Sequence, residues 1–108
     1  MEYKVEMTAR ATRNVRAIYR RVDAANSLPA AVWYRGLRDT IFSLDHSPER
    51  GTRTEETAAL RQILYGNKPH MYRIIYSIEH VSKRVLVLHI RHGAQNAFQP
   101  RDVWKPNI

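Results

Sequence analysis

Tyr72-Arg73-Ile74-Ile75-Tyr76-Ser77-Ile78 and Arg84-Val85-Leu86-Val87-Leu88-His89-Ile90 decide the fold. Both are short apolar runs dense in Ile, Val, Leu and Tyr, a composition suited to strands packed in a sheet. The break between them, Glu79-His80-Val81-Ser82-Lys83, is short enough for a hairpin, so the two strands pair antiparallel. A third run, Leu60 to Tyr65, precedes them across Gly66-Asn67-Lys68-Pro69 and extends the same meander.

Working toward the N-terminus, Asp45 to Thr57 is polar, holds Pro48 and Gly51, and reads as a loop. Ahead of it, Ala30, Trp33, Leu37, Ile41 and Leu44 recur at helical spacing, with Ser27 and Pro29 marking the helix start. Gly36 inside this helix costs about 1 kcal/mol against Ala, which predicts a close approach there to another element. Ala11, Val15, Ile18 and Val22 form the apolar stripe of an earlier helix, Ala9 to about Val22, for which Thr8 is the N-cap. Its other faces carry Arg10, Arg13, Arg16, Arg20 and Arg21. Tyr3, Val5 and Met7 alternate with Lys4 and Glu6 as a half-buried first strand. The order is β-α-α-β-β-β: an α+β domain with a helical hairpin on one face of a twisted, mainly antiparallel sheet. Gly93 to Ile108 has no clear period, and Phe98 and Trp104 are its candidates for docking onto the body.

A length of 108 residues fits one domain. The absence of cysteine excludes a disulfide scaffold, a zinc ribbon and a thiol nucleophile. No stretch approaches the roughly 20 apolar residues of a membrane span, and the N-terminus lacks a signal-peptide core, so a cytoplasmic protein is expected. Eighteen Lys and Arg against ten acids leave a net charge of +8, a field that attracts polyanions, whether nucleic acid or an acidic protein. Glycine-rich nucleotide loops and the Gly-x-Ser-x-Gly elbow are missing. His89 and His92 lie three apart, so on a regular strand they point to opposite faces and cannot share an ion; neither metal nor cofactor is expected.

The second half of the chain carries a resemblance. Leu60-Arg61-Gln62-Ile63-Leu64-Tyr65-Gly66, then Tyr72-Arg73-Ile74-Ile75-Tyr76, then Val87-Leu88-His89-Ile90-Arg91-His92-Gly93-Ala94 resembles the ordered strand set of RelE/ParE toxins of type II toxin–antitoxin systems, the plasmid-stabilisation type. The helix with Trp33 and the Ser47-Pro48-Glu49-Arg50-Gly51 loop agree with it. It spans about residues 3 to 94, so residues 1–94 read as the toxin domain and 95–108 as a C-terminal tail.

That resemblance implies a growth-arresting toxin, neutralised by a cognate antitoxin with an acidic or amphipathic segment, and a higher-order complex through antitoxin dimerisation. It implies two targets. ParE-like members poison DNA gyrase and are not nucleases; the Ile90-Arg91-His92-Gly93-Ala94 ending favours this side. RelE-like members are mRNA endoribonucleases working on the ribosome, and the positions that carry over are Glu56, Arg73 and His92, with Arg61 as a further guanidinium. A base, an acid and a guanidinium suffice for metal-independent phosphoryl transfer. Arg61, Arg73, Arg91 and Trp33 are the candidates for holding antitoxin or target, since guanidinium forks also grip carboxylates. Arg61, Arg73 and Arg91 are expected to share one patch on the sheet. A nucleic-acid-binding module without toxicity is the remaining alternative, though the aromatic RNA-binding pattern is missing.

Overall fold

The computed structural model describes residues 2–93; the tail expected at 95–108, with Phe98 and Trp104, lies outside them. Strand β1 (Lys4–Met7) leads into helix α1 (Ala9–Arg21), whose first turn is capped by the Thr8 hydroxyl accepting from Ala11 N at 3.1 Å. Helix α2 (Leu28–Phe42) starts the same way, with Ser27 accepting from Ala30 N, and the chain then tightens into short 3-10 turns at Ser43–Asp45 and Pro48–Arg50. Strands β2 (Thr52–Arg53), β3 (Arg61–Tyr65), β4 (Tyr72–Glu79) and β5 (Arg84–His92) follow.

The sheet order is β1-β5-β4-β3-β2. The β3–β4 and β4–β5 pairs are antiparallel, while β1 pairs parallel with β5, so the five-stranded sheet is mixed. One expectation needs correction: the segment read wholly as a loop, Asp45 to Thr57, contains β2, antiparallel to β3 with Thr52 opposite Gln62. Two residues are too few to show a period. The pairing is made possible by Gly51, where a Cβ would overlap the Tyr76 hydroxyl and the Gln62 carbonyl.

Both helices lie on one face. Ala11, Val15 and Ile18 of α1 and Leu37 and Ile41 of α2 pack on Tyr72, Ile74, Tyr76, Val85, Val87 and Ile90. At about 25 cal/mol per Å², each fully buried aliphatic side chain contributes roughly 1.5–3 kcal/mol. Gly36 makes the close approach its position requires: a Cβ there would overlap the Tyr65 hydroxyl, which donates to the Trp33 carbonyl at 2.7 Å. The opposite face carries a smaller cluster, Leu60, Ile75, Leu86 and Leu88, and no helix covers it among the described residues.

A bulge in β5 sets the side-chain directions near the site. Tyr76 pairs with Val87 but Ile75 pairs with His89, so Leu88 is an extra residue. Val85 and Val87 face the helices; beyond the bulge the parity reverses, and Ile90 faces them instead. His89 and Arg91 therefore turn to the open face.

Candidate functional site

The open face holds the charged cluster. Arg73 on β4 stands directly opposite Arg91 on β5, and Ile75 opposite His89, so the bulge brings Arg73, Arg91 and His89 onto one surface. Arg73 donates from Nη1 and Nη2 to both carboxylate oxygens of Glu56 at 3.0 and 2.8 Å, and from Nε to Gln62 Oε1 at 2.8 Å. Only 15% of the Arg73 side chain and 10% of Glu56 are exposed, so this fork is largely out of water.

Local structure explains why Glu56 sits there. The Thr54 hydroxyl donates to the Thr57 carbonyl and accepts from Thr57 N, and Thr54 N reaches the Leu60 carbonyl at 3.0 Å. This tight turn leans Glu56 over β4, and Leu60, fully buried, anchors it in the open-face cluster. His89 is held neutral well below the ordinary imidazole range, at about 4, first by burial and then by the charges of Arg91, Arg10 and Arg73.

The candidates from sequence divide among three places. Glu56, Arg73 and Arg91 come together on the open face. Arg61 does not join them: it pairs with Tyr76, on the helix-facing side, and its Nη1 donates to the carbonyls of Gly51 at 2.9 Å and Glu49 at 3.2 Å. With the Tyr76 hydroxyl donating to the Pro48 carbonyl, it pins the segment ahead of β2. The expected three-arginine patch is thus Arg73 and Arg91, with Arg61 structural. His92 pairs with Tyr72 and meets its ring edge-on at 5.1 Å, on the helix side. His89 and His92 thus fall on opposite faces, as strand alternation requires. Trp33 is also on the helix side, half-buried against Tyr65 and Tyr72 at 5.2 and 5.7 Å.

Sequence reading passed over His89, Gln62 and Arg10 as members of this cluster. The spacing of His89 and Arg91 by two residues already puts them on one face of a strand. Gln62 and Arg10 needed the register and the helix placement. Elsewhere, exposed His46 lies between Asp45 at 2.9 Å and Glu2 at 3.5 Å, the one such three-residue grouping of potential ligands among the described residues.

A hairpin of helices on one face of this strand order sets the fold class. The model of the ParE toxin of type II toxin–antitoxin systems, parDE, matches residues 5–97, and the chain belongs to that family. Solved structures share the fold. The RelBE2 toxin–antitoxin complex from Mycobacterium tuberculosis superposes with a TM-score of 0.63 at 20% identity, over 85% of this chain and 99% of that one. The chromosomal ParDE system from P. aeruginosa gives 0.67 at 16%, over 84% and 96%. A mutant of E. coli toxin RelE in the free state gives 0.62 at 15%, over 99% and 95%. No curated protein matches the sequence significantly. No helix among the described residues is long and apolar enough to cross a membrane.

Proposed function

We propose that this toxin arrests growth by binding DNA gyrase, without enzymatic chemistry of its own, and that a cognate antitoxin silences it by placing carboxylates on the open face. The observation that carries the non-enzymatic reading is the division of the would-be catalytic set. A nuclease needs a base, an acid and a guanidinium converging on one phosphate. Here the Glu56 carboxylate is held on both oxygens by Arg73, His92 lies on the other side of the sheet, and Arg61 is committed to loop carbonyls. His89, the imidazole nearest the arginines, titrates near 4, too low for efficient proton exchange at neutral pH.

Arg91 is the residue proposed to grip the partner, with Arg73 held by Glu56 and Gln62 as the positioning residue across the strand pair. A guanidinium on this face suits a carboxylate on an antitoxin or on gyrase. Antitoxin binding is supported by the family and by the RelBE2 neighbour, itself a toxin–antitoxin complex. The cytoplasm, where gyrase works, is the compartment this reading requires.

The test is a supercoiling assay with purified chain and gyrase on relaxed plasmid. Supercoiling is lost as the chain is added and returns with excess antitoxin. Unimpaired supercoiling at saturating toxin, together with cleavage of mRNA on ribosomes, would replace this reading with the nuclease one.

A further inference from the structure

The outer surface of the helical hairpin is a second charged face, separate from the sheet. Residues 9–42 hold seven arginines, Arg10, Arg13, Arg16, Arg20, Arg21, Arg35 and Arg38, against two acids, Asp23 and Asp39. Arg13, Arg16 and Arg20 follow at steps of three and four along α1, so they form one exposed row of about 10 Å. Arg35 and Arg38 are exposed on α2. A groove of about 250 Å³ joins the two helices, lined by Tyr19 of α1 and by Tyr34, Arg35 and Arg38 of α2.

Two things distinguish this face from an ordinary solvated one. Among the described residues, no carboxylate lies within ion-pair distance of these five arginines, whereas Arg73 and Arg84 both have acidic partners. Of the two nearby acids, Asp23 accepts from Asn26 Nδ2 at 2.9 Å, and Asp39 adds its charge, after burial, to the raised pKa of the Tyr65 hydroxyl. Uncompensated like charge opposes the compact state, and a polyanion relieves that repulsion.

We propose that this hairpin face binds the phosphate backbone of duplex DNA. Duplex DNA carries about one charge per 1.7 Å of axis, the high density that an arginine row exploits through counterion release. Single strands are gripped by flat aromatic platforms, and the face offers none: Tyr19 and Tyr34 meet edge to face at 4.9 Å and occupy each other. Arg38 is stacked on Phe42 at 5.9 Å, which steadies its guanidinium at the surface. The choice of DNA over duplex RNA rests on the gyrase reading, because a gyrase-bound toxin works beside a DNA segment. The surface would hold that segment while Arg73 and Arg91 face the protein.

The experiment needs no gyrase, so its outcome is independent of whether gyrase is the target. Fluorescence anisotropy of a labelled DNA duplex of about 20 base pairs is followed with the full chain across salt. Five phosphate contacts predict about 500-fold weaker binding between about 50 and about 200 mM salt. The triple variant Arg16→Ala, Arg20→Ala, Arg38→Ala binds more weakly and loses only about tenfold over the same range. Alanine is the best helix former, so α1 and α2 persist. A charge-matched control, Lys4→Ala, Arg53→Ala, Lys68→Ala, removes the same charge away from the helices and keeps the steep salt dependence. Equal loss in both triples, no duplex binding at low salt, or tighter binding of duplex or single-stranded RNA than of the DNA duplex would each overturn the proposal.

Discussion

The two faces of one sheet have opposite characters, although the same three strands supply both. On β4, Tyr72, Ile74 and Tyr76 enter the helix-covered core, while Arg73 and Ile75 point the other way. The covered face is mainly apolar, and polar groups on it are engaged: Tyr76 with Pro48, and Arg61 with the carbonyls of Glu49 and Gly51. The open face combines a small apolar patch with Glu56, Arg73, Arg91 and His89. Strand alternation thus lets one hairpin stabilise the fold and display charge together, and the Leu88 bulge decides which residues of β5 join each side.

The contrast predicts where substitutions hurt stability most. Ile74→Ala removes a fully buried side chain from the covered face and lowers unfolding free energy by about 3 kcal/mol, seen as a lower urea midpoint. A loss under about 1 kcal/mol would mean that this face is not close-packed. On the open face the largest stability effect lies in the Glu56–Arg73 fork. A double-mutant cycle of Glu56→Gln and Arg73→Met gives a coupling of about 1–3 kcal/mol, as fits a largely desolvated pair. Coupling near zero would put the pair in water and restore Glu56 as an available base.

A smaller effect separates the faces by pH. An unfolded histidine takes up its proton near 6.5, whereas folded His89 does so only near 4. Between those values the unfolded chain binds more protons, so stability falls as pH falls through that window. Because part of the ring is solvated, His89→Gln should abolish on the order of 1 to 2 kcal/mol of this loss, less than the full shift implies. Thermal melts at pH 7 and pH 4.5 measure it; an unchanged pH dependence would show that the ring is not buried among the arginines.

Much of the fold was legible in the sequence, because periodicity records burial. The stripes Ala11-Val15-Ile18 and Leu37-Ile41, the three apolar runs and the caps at Thr8 and Ser27 were readable one element at a time. Strand β2 was not, since pairing by two residues depends on Gly51 passing close to Tyr76 and Gln62. The bulge at Leu88 was hidden too: Val85 to Ile90 is apolar throughout, with only His89 interrupting it, and such a run does not report its facing. The site suffered for the same reason. Arg61 and Arg73 look alike in sequence, but register sends one to the helix side and the other to the open face. Glu56 could be matched to Arg73 only once the Thr54–Thr57 turn was seen to fold over β4.

Induced expression in a sensitive host, read as growth, compares two variants. If the open face acts by gripping a partner, His89→Gln with His92→Gln still arrests growth, while Arg91→Met does not, despite soluble folded protein in both. Arrest lost with the histidines and kept without Arg91 would mean that proton transfer, and not charge recognition, is what makes this chain toxic.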